Sequence, residues 1–315
     1  MEIKRYEDWM RDQVIDLFVG EYGVDKVEFG LLFGRFYEHP FQVNSCVRIV
    51  AEEFGKVAGF QSFFSWPLKS GNHTMHALQS GNSLVHPEFR GQKLFARMLD
   101  FIHEPAQQFD FDILIGFPVE ASFNSFVRNK WKNPFDLQWH VRPLTPLLSL
   151  FGGGEARVTR ISQTQSEQYV EPDAQYIGVD MGSEFTAYRR QFQTGLYHRF
   201  SYTRDGMRAQ FELKIQVRKK LIRELVIGSV QFNHQDRGWM IDAFGMLIRD
   251  LRKSAGGTFL SIAVNPLQPL WKEVLIANGF RTIDKKIHFI AKGPLAEATD
   301  DWSNWNMFRG AIDTW

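Results

Sequence analysis

Apolar side chains recur every three to four residues over Asp12–Glu21, where Val14, Ile15, Leu17 and Phe18 share one face, and again over Phe29–Tyr37. Both stretches are predicted helices, and Pro40 closes the region. The pattern then shortens to that of strands: Val47–Ala51 is β-branched, and Lys56–Trp66 is apolar and aromatic with Gly59 inside it. Pro67–Asn72 has the composition of a turn, so a further strand is expected over about His76–Val85, before Pro87. A polar loop, His86–Gly91, leads into a helix whose inner face is Leu94, Phe95, Met98, Leu99 and Ile102, with Pro105 after it. Phe111–Phe117 is almost wholly apolar, as expected of a strand covered on both faces. Pro118 breaks it, and a short helix over Ser122–Asn129 leads to Trp131.

A Ser-, Thr-, Gln- and Gly-rich stretch between Leu148 and Gln168, with Gly152-Gly153-Gly154, reads as a linker. The plan then begins again. Lys220–Phe232 is a predicted strand, and Gly238–Ser254 a helix with Met240, Ile241, Phe244, Leu247, Ile248 and Leu251 inward, ended by Gly256-Gly257. Phe259–Val264 is a buried strand, Leu270–Ala277 a short helix capped by Asn278-Gly279 before Phe280, and Lys286–Ala291 a last strand. Arg90-Gly91, helix, apolar strand, Pro118, short helix and Trp131 are matched in order by Arg237-Gly238, helix, apolar strand, Pro266, short helix and Phe280. The repeat is architectural, not one of residue identity. The expected class is α/β with a mixed sheet, in two similar domains. They divide as residues 1–147, a linker 148–172, and 173–293, followed by an aromatic tail, 294–315, whose Trp302, Trp305, Phe308 and Trp315 should pack on the body.

The 315 residues carry 37 Lys and Arg against 36 Asp and Glu, a net charge of +1. That balance provides no broad basic face for nucleic acid, so no nucleic-acid partner is expected. Cys46 is the one cysteine, which excludes a disulfide framework and a thiolate-built zinc site, and no metal is expected. No apolar run reaches the roughly 18–20 residues of a membrane span, and Met1–Met10 lacks a signal-peptide core, so the expected location is cytoplasmic. With 29 Phe, aromatic packing should dominate the core.

A strand that turns through Arg-Gly into a helix can hold phosphate, because the first helical N–H groups lack partners and the helix dipole is positive there. The segment Val85-His86-Pro87-Glu88-Phe89-Arg90-Gly91-Gln92-Lys93-Leu94-Phe95 resembles the acetyl-CoA loop of the GNAT N-acetyltransferase superfamily. Gly116–Ser122 (GFPVEAS) and the closing Asp313-Thr314-Trp315 resemble bacterial two-part GNAT proteins of polysaccharide and amino-sugar pathways. The resemblance implies acyl transfer from acetyl-CoA to a small-molecule amine, with an amino sugar or nucleotide-linked sugar as acceptor. It places the cofactor on Leu84, Val85, Arg90, Gly91, Gln92, Lys93, Leu94 and Phe95, with a backbone N–H of Leu84 or Val85 polarising the thioester carbonyl.

The departures are specific. Lys93 stands where the family has its internal glycine, and Phe95 where it has a small residue. The strand Gln79–Ser83 lacks the carboxylate that relays the amine proton; Asn82 can position a water, and His76, His86 and Glu120 are the nearby candidates for proton acceptor. Phe126 falls where the family has its tyrosine acid and cannot donate a proton. In the second half Trp239 and Met240 occupy the loop, so that domain is expected to wall the acceptor cleft, with Tyr197-His198-Arg199-Phe200 at its entry. Two other readings stand beside acyl transfer: a tRNA-dependent aminoacyl transferase of the peptidoglycan-bridge type, and a degenerate GNAT-like scaffold or ligand sensor.

Overall fold

The computed structural model describes residues 1–312 except 105, 107–108, 145–169, 172, 192–196, 219–221 and 255–257. The first half runs β1 (Glu2–Arg5), α1 (Arg11–Tyr22), α2 (Lys26–Tyr37), α3 (Pro40–Val43), β2 (Val47–Glu53), β3 (Lys56–Ser65), β4 (Leu68–Ser70), β5 (His73–Met75), β6 (Ala77–Val85), α4 (Leu94–Phe101), β7 (Ile113–Gly116), α5 (Glu120–Arg128) and β8 (Lys132–Pro143). The second runs β9 (Ile177–Val179), α6 (Ser183–Arg190), β10 (Tyr197–Arg204), β11 (Met207–Arg218), β12 (Ile222–Phe232), α7 (Arg237–Ser254), β13 (Phe259–Val264), α8 (Pro269–Ala277), β14 (Arg281–Lys292), α9 (Pro294–Ala298) and β15 (Trp305–Asn306). Helix α1 stops at Gly23, whose φ of +64° suits glycine, and α2 starts at Asp25, whose carboxylate accepts the Glu28 N–H.

Among the described residues eleven strands form one sheet in the order β1-β2-β3-β6-β7-β14-β8-β13-β12-β11-β10. Each half contributes an antiparallel meander followed by one parallel pair, β6 with β7 and β12 with β13, joined by α4 and α7. Those are the repeated units legible in the sequence. The final strands are exchanged. β14 of the second half lies beside β7, and β8 of the first half lies beside β13, with the two paired antiparallel at the sheet centre. The linker expected over 148–172 lies mostly outside the described residues, as do Gly256-Gly257 and Trp315.

Alternation along the strands separates two apolar layers in the first half. Val50, Phe60, Phe64, Ile113 and Ile115 pack with Val14, Ile15 and Phe18 of α1 and Phe33 and Tyr37 of α2. Ile49, Ala51, Phe63, Leu78 and Leu114 pack with Leu94, Met98 and Leu99 of α4 and Phe126 of α5. In the second half α7 and α8 cover Phe211, Leu225, Ile227, Leu260 and Ile262. The abundant Phe residues therefore serve as core, with Tyr37 and Phe64 stacked at 5.2 Å and Phe135 and Phe289 at 4.7 Å.

Both parallel pairs part at the same place. The β6–β7 register ends at Ser80 and Gly116 while β6 continues to Val85; the β12–β13 register ends at Ile227 and Ile262 while β12 continues to Phe232. In the second opening the chain's own tail lies against β12, leaving a small cavity of about 40 Å³ between them. Trp302 and Trp305 are buried, and a 3-10 turn, Arg309–Ala311, runs against β12 so closely that a Cβ on Gly310 would come within 3.0 Å of the Gly228 carbonyl group. Buried Arg189 of α6 donates to the Gly310 and Ile312 carbonyls, and Gln79 of β6 donates to the Ala311 carbonyl at 3.1 Å. Among the described residues no segment pairs with β6 beyond Ser80 on its β7 side.

Several elements depart from the sequence reading. Pro67–Asn72 does not make a plain turn: it folds into the hairpin β4–β5 around Gly71, whose φ is +56°. Strands β1, β8, β10 and β11 were not among the predicted elements, and β14 is twice as long as Lys286–Ala291. Their alternation is polar on one side and lacks the long apolar run on which a buried strand is recognised.

Two predictions follow from the packing. Gly310→Ala is expected to cost about 1–3 kcal/mol, read as a lowered melting temperature, because backbone faces the new methyl and cannot yield as a side chain would. His103, just past α4, has burial and the nearby Lys292 pushing its pKa down to about 4. Between its ordinary value near 6.5 and about 4, only the unfolded chain takes up the proton, so stability falls as pH falls through that window. His103→Gln is expected to flatten this slope, measured as urea midpoints at pH 7 and pH 5.

Candidate functional site

The first opening is lined by β6 beyond Ser80. Opposite Ser62, β6 carries an extra residue: Gln61 pairs with Ser83 and Phe63 with Ser80, leaving Gly81 and Asn82 as a bulge. A Cβ on Gly81 would run into the Phe64 ring, so only glycine fits there. Past the bulge the His86 N–H donates to the Ala58 carbonyl of β3 at 2.9 Å. By strand alternation Leu84 also faces β3, whereas Ser83 and Val85 turn their N–H groups toward the opening. Of the two expected donors, Leu84 is therefore committed to the sheet and Val85 faces the gap. The Val85 carbonyl accepts from Arg90 Nε at 3.2 Å.

The loop after β6 turns through two left-handed residues. Gly91 has φ +81° and Lys93 φ +58°, so Lys93 adopts the left-handed conformation that a glycine would take at this position. Lys93 precedes α4 without a side-chain cap, and the first intrahelical bond runs from Arg97 N–H to the Lys93 carbonyl. The N–H groups of Leu94, Phe95 and Ala96 have no acceptor among the described residues, which leaves the positive end of α4 open. Gln92 lies between Gly91 and Lys93 and is exposed. Arg90 anchors the loop, pairing with Glu21 of α1 at 2.6 Å. The matching position in the second half is closed: the Asp236 carboxylate accepts the Trp239 N–H at 2.8 Å, and Trp239 and Met240 are fully buried. An anion already occupies that helix end.

Glu120 starts α5, directly after the loop that follows β7. Its Oε2 lies 3.0 Å from Nε2 of His288, whose Nδ1 lies 2.8 Å from Oδ1 of Asp136. His288 and Asp136 are directly opposed on β14 and β8, so the exchange of final strands brings them together across 152 residues of chain. Ile290 pairs with Gly116 at the end of β7, and His288 is two residues further along, about 7 Å past that end, where the sheet opens. The imidazole is buried, stacked on Phe123 at 3.9 Å, while the Glu120 side chain is 84% exposed. Burial opposes ionisation of Asp136, but bonds from Lys286 (2.9 Å), His288 and Asn133 (3.1 Å) together hold its carboxyl below the usual range. Asp136 is thus a fixed carboxylate that orients the ring, with Nε2 held against Glu120 at the edge of the cleft. That cleft, of about 400 Å³, is lined by Pro118, Glu120, Trp139, Lys285, His288 and Arg309, among others.

The other sequence candidates sit elsewhere. Asn82 donates to the Tyr37 hydroxyl at 2.8 Å, and that hydroxyl donates to Ser62 Oγ at 3.0 Å, so its amide secures the bulge. His86 accepts the Glu88 N–H at 3.3 Å and caps its own loop. His76 precedes β6 at the end remote from the loop, with its N–H on Asp112. Phe126 is buried edge-on between Phe95 and Trp131, at 5.2 and 5.0 Å, and Phe95 fills that space where a small residue was expected. Tyr197 and Arg199 lie on β10, the outermost strand of the second half. Sequence reasoning did not find His288 or Asp136. Each lies alone in an ordinary alternating strand, and only the strand exchange pairs them.

No protein-family model matches the chain, and no curated protein matches it by sequence. Solved structures do. A GCN5-related N-acetyltransferase from Kribbella flavida superposes with a TM-score of 0.60 at 11% identity, over 94% of this chain and 73% of that one. One from Anabaena variabilis gives 0.61 at 9% identity, over 92% and 72%. Eis1 from Mycobacterium abscessus gives 0.58 at 11% identity, over 95% and 75%. Saccharomyces cerevisiae N-myristoyltransferase with bound myristoyl-CoA gives 0.51 at 11% identity, over 93% and 83%. The chain has a two-domain GNAT-like fold.

Proposed function

We propose that this protein transfers an acetyl or other short acyl group from acyl-CoA to a primary amine, and that it does so in the first half alone. The observation that carries this reading is the contrast between the two parted strand pairs. In the first, the helix end carries no side-chain cap and no described segment pairs with β6 beyond Ser80 on its β7 side; in the second, Asp236 caps the helix and the chain's own tail packs against β12. The GNAT-like neighbours and the acyl-CoA-bound myristoyltransferase support the same class of chemistry. The pyrophosphate would lie on the N–H groups of Leu94, Phe95 and Ala96, with Arg90, Gly91, Gln92 and Lys93 shaping the loop around it. The thioester carbonyl would accept a hydrogen bond from Val85 N–H.

In the reaction the amine nitrogen forms a bond to the thioester carbon and the carbon–sulfur bond breaks. The amine proton passes to the exposed Glu120 carboxylate, whose Oε2 is held by His288 Nε2, and Asp136 keeps the ring oriented. Phe126 has no proton to give, so the thiolate leaves as such and is protonated by solvent. Asn82 serves this reaction by holding the bulge and Tyr37 in place. An amino sugar or nucleotide-linked sugar is the acceptor that the sequence resemblance suggests.

Calorimetric titration is expected to give one acetyl-CoA per chain. Arg90 is a poor probe because its loss also frees Glu21, whereas Lys93 is exposed and makes no side-chain bond to described residues. Lys93→Glu should weaken binding about tenfold by placing a negative charge at the helix end. No binding at millimolar acetyl-CoA would remove the enzyme reading and leave the scaffold reading in its place. Once an acceptor is in hand, His288→Gln should lower kcat by about 100-fold or more while leaving acetyl-CoA affinity unchanged. Asp136→Asn should lower kcat less; a loss confined to KM for acyl-CoA would contradict the assignment.

A further inference from the structure

The cleft beside Glu120 is charged in a way that acyl transfer alone does not require. Its lining carries three cations, Lys285, Lys286 and Arg309, against the single carboxylate of Glu120. Lys286 is engaged by Asp136 at 2.9 Å. Lys285 has no carboxylate partner among the described residues; its ammonium lies over the Trp139 ring, 4.3 Å from the centroid. Trp139 is buried and forms part of the floor. Partial burial, followed by Arg218 and Arg309, holds the Lys285 pKa below its ordinary value against the opposing pull of Glu224, and Arg218 is itself paired with Glu224. With Arg218 and Glu224 paired, Arg309 is the further cation that faces Lys285. An acceptor that enters as an ammonium adds one more positive charge to this cleft, and a substrate without an anion of its own would be repelled from it.

We propose that the acceptor is an amine that also carries an anionic group, a carboxylate or a phosphate. The anion rests on the Lys285 ammonium, within the positive field to which Arg309 adds, while the amine faces Glu120 and His288. The apolar walls provided by Phe117, Ile287 and Ile312 suit a short spacer between the two ends. This inference rests on the acyl-transfer reading for the identity of the amine end, but the anion site stands on its own geometry.

The test uses the full chain in two arms. In the first, thiol release from acetyl-CoA is followed with matched pairs: O-phosphoethanolamine against ethanolamine, and an amino acid against its carboxamide. The anionic member of one pair is expected to be favoured about tenfold or more in kcat/KM, and which pair responds tells phosphate from carboxylate. Lys285→Gln should abolish most of that preference through KM, and Lys285→Arg, which keeps the charge, should retain it. Equal or better use of the neutral members, or a preference that survives Lys285→Gln, overturns the proposal. In the second arm inorganic phosphate is added without acetyl-CoA, and the melting temperature is expected to rise in the native protein but not in Lys285→Gln. Phosphate stabilisation through Lys285 without acetyl-CoA binding would sink the acyl-transfer reading and keep the anion site. Acetyl-CoA binding with no phosphate effect and no anionic preference would sink the anion site alone.

Discussion

Two adjacent parallel strands that part leave a row of backbone N–H and C=O groups without strand partners, and everything distinctive here follows from how the two such rows are treated. In the second half the row on β12 is met by the chain's own tail, with Gly310 pressed against Gly228 where no side chain fits. In the first half the row on β6 is left facing an opening, and the bulge at Gly81 and Asn82 turns Ser83 and Val85 toward it. Buried polar backbone without a partner is costly, so an opening of this kind is the natural place for a ligand that supplies hydrogen bonds of its own. Helix α4 ends at the same place with its N–H groups uncapped, whereas α7 is capped by Asp236. The two copies of one plan thus differ in whether the helix end is capped and in what lies beside the parted strand.

The exchange of final strands joins the halves and also builds the cleft. Because β14 lies beside β7 and β8 beside β13, the β8–β14 ladder runs through the centre of the sheet and sets Asp136 directly against His288. Glu120 reaches the same imidazole from α5. The tail adds Arg309 and Ile312 to the cleft wall, and is itself held by Arg189 from α6 and by Gln79 from β6. A change that loosened the tail would therefore disturb the second half and the cleft together. Mutations at Arg189 or Gly310 are accordingly coupled to the cleft through packing and backbone bonds, not through any contact with a reacting atom.

Much of the frame was legible because it is written in local signals. The Arg-Gly loops, the amphipathic faces of α4 and α7, and the apolar runs of β7 and β13 give the two repeated units in order. The glycine replaced by Lys93 was visible in sequence, but only the backbone shows that Lys93 still takes the left-handed turn. Glu120 was a candidate from its place after the buried strand, and it lines the cleft. Its partners were not, because a lone histidine and a lone aspartate in two polar-faced strands carry no signal until the strands are seen to pair. The same limit hid the packing of the tail against β12: Trp302, Trp305 and Phe308 announce burial but not against which surface. Local periodicity reports elements, whereas strand exchange is a long-range event that leaves no periodic trace.

The central claim is that one half binds acyl-CoA and the other is closed to it by its own chain. Amide hydrogen exchange, measured residue by residue with and without acetyl-CoA, tests it most directly. The account predicts new protection on Ser83, Val85 and the turn from Gly91 to Ala96, and none on Gly228–Phe232 or Arg237–Met240. Protection on the β12–α7 turn, or on both turns alike, would contradict it.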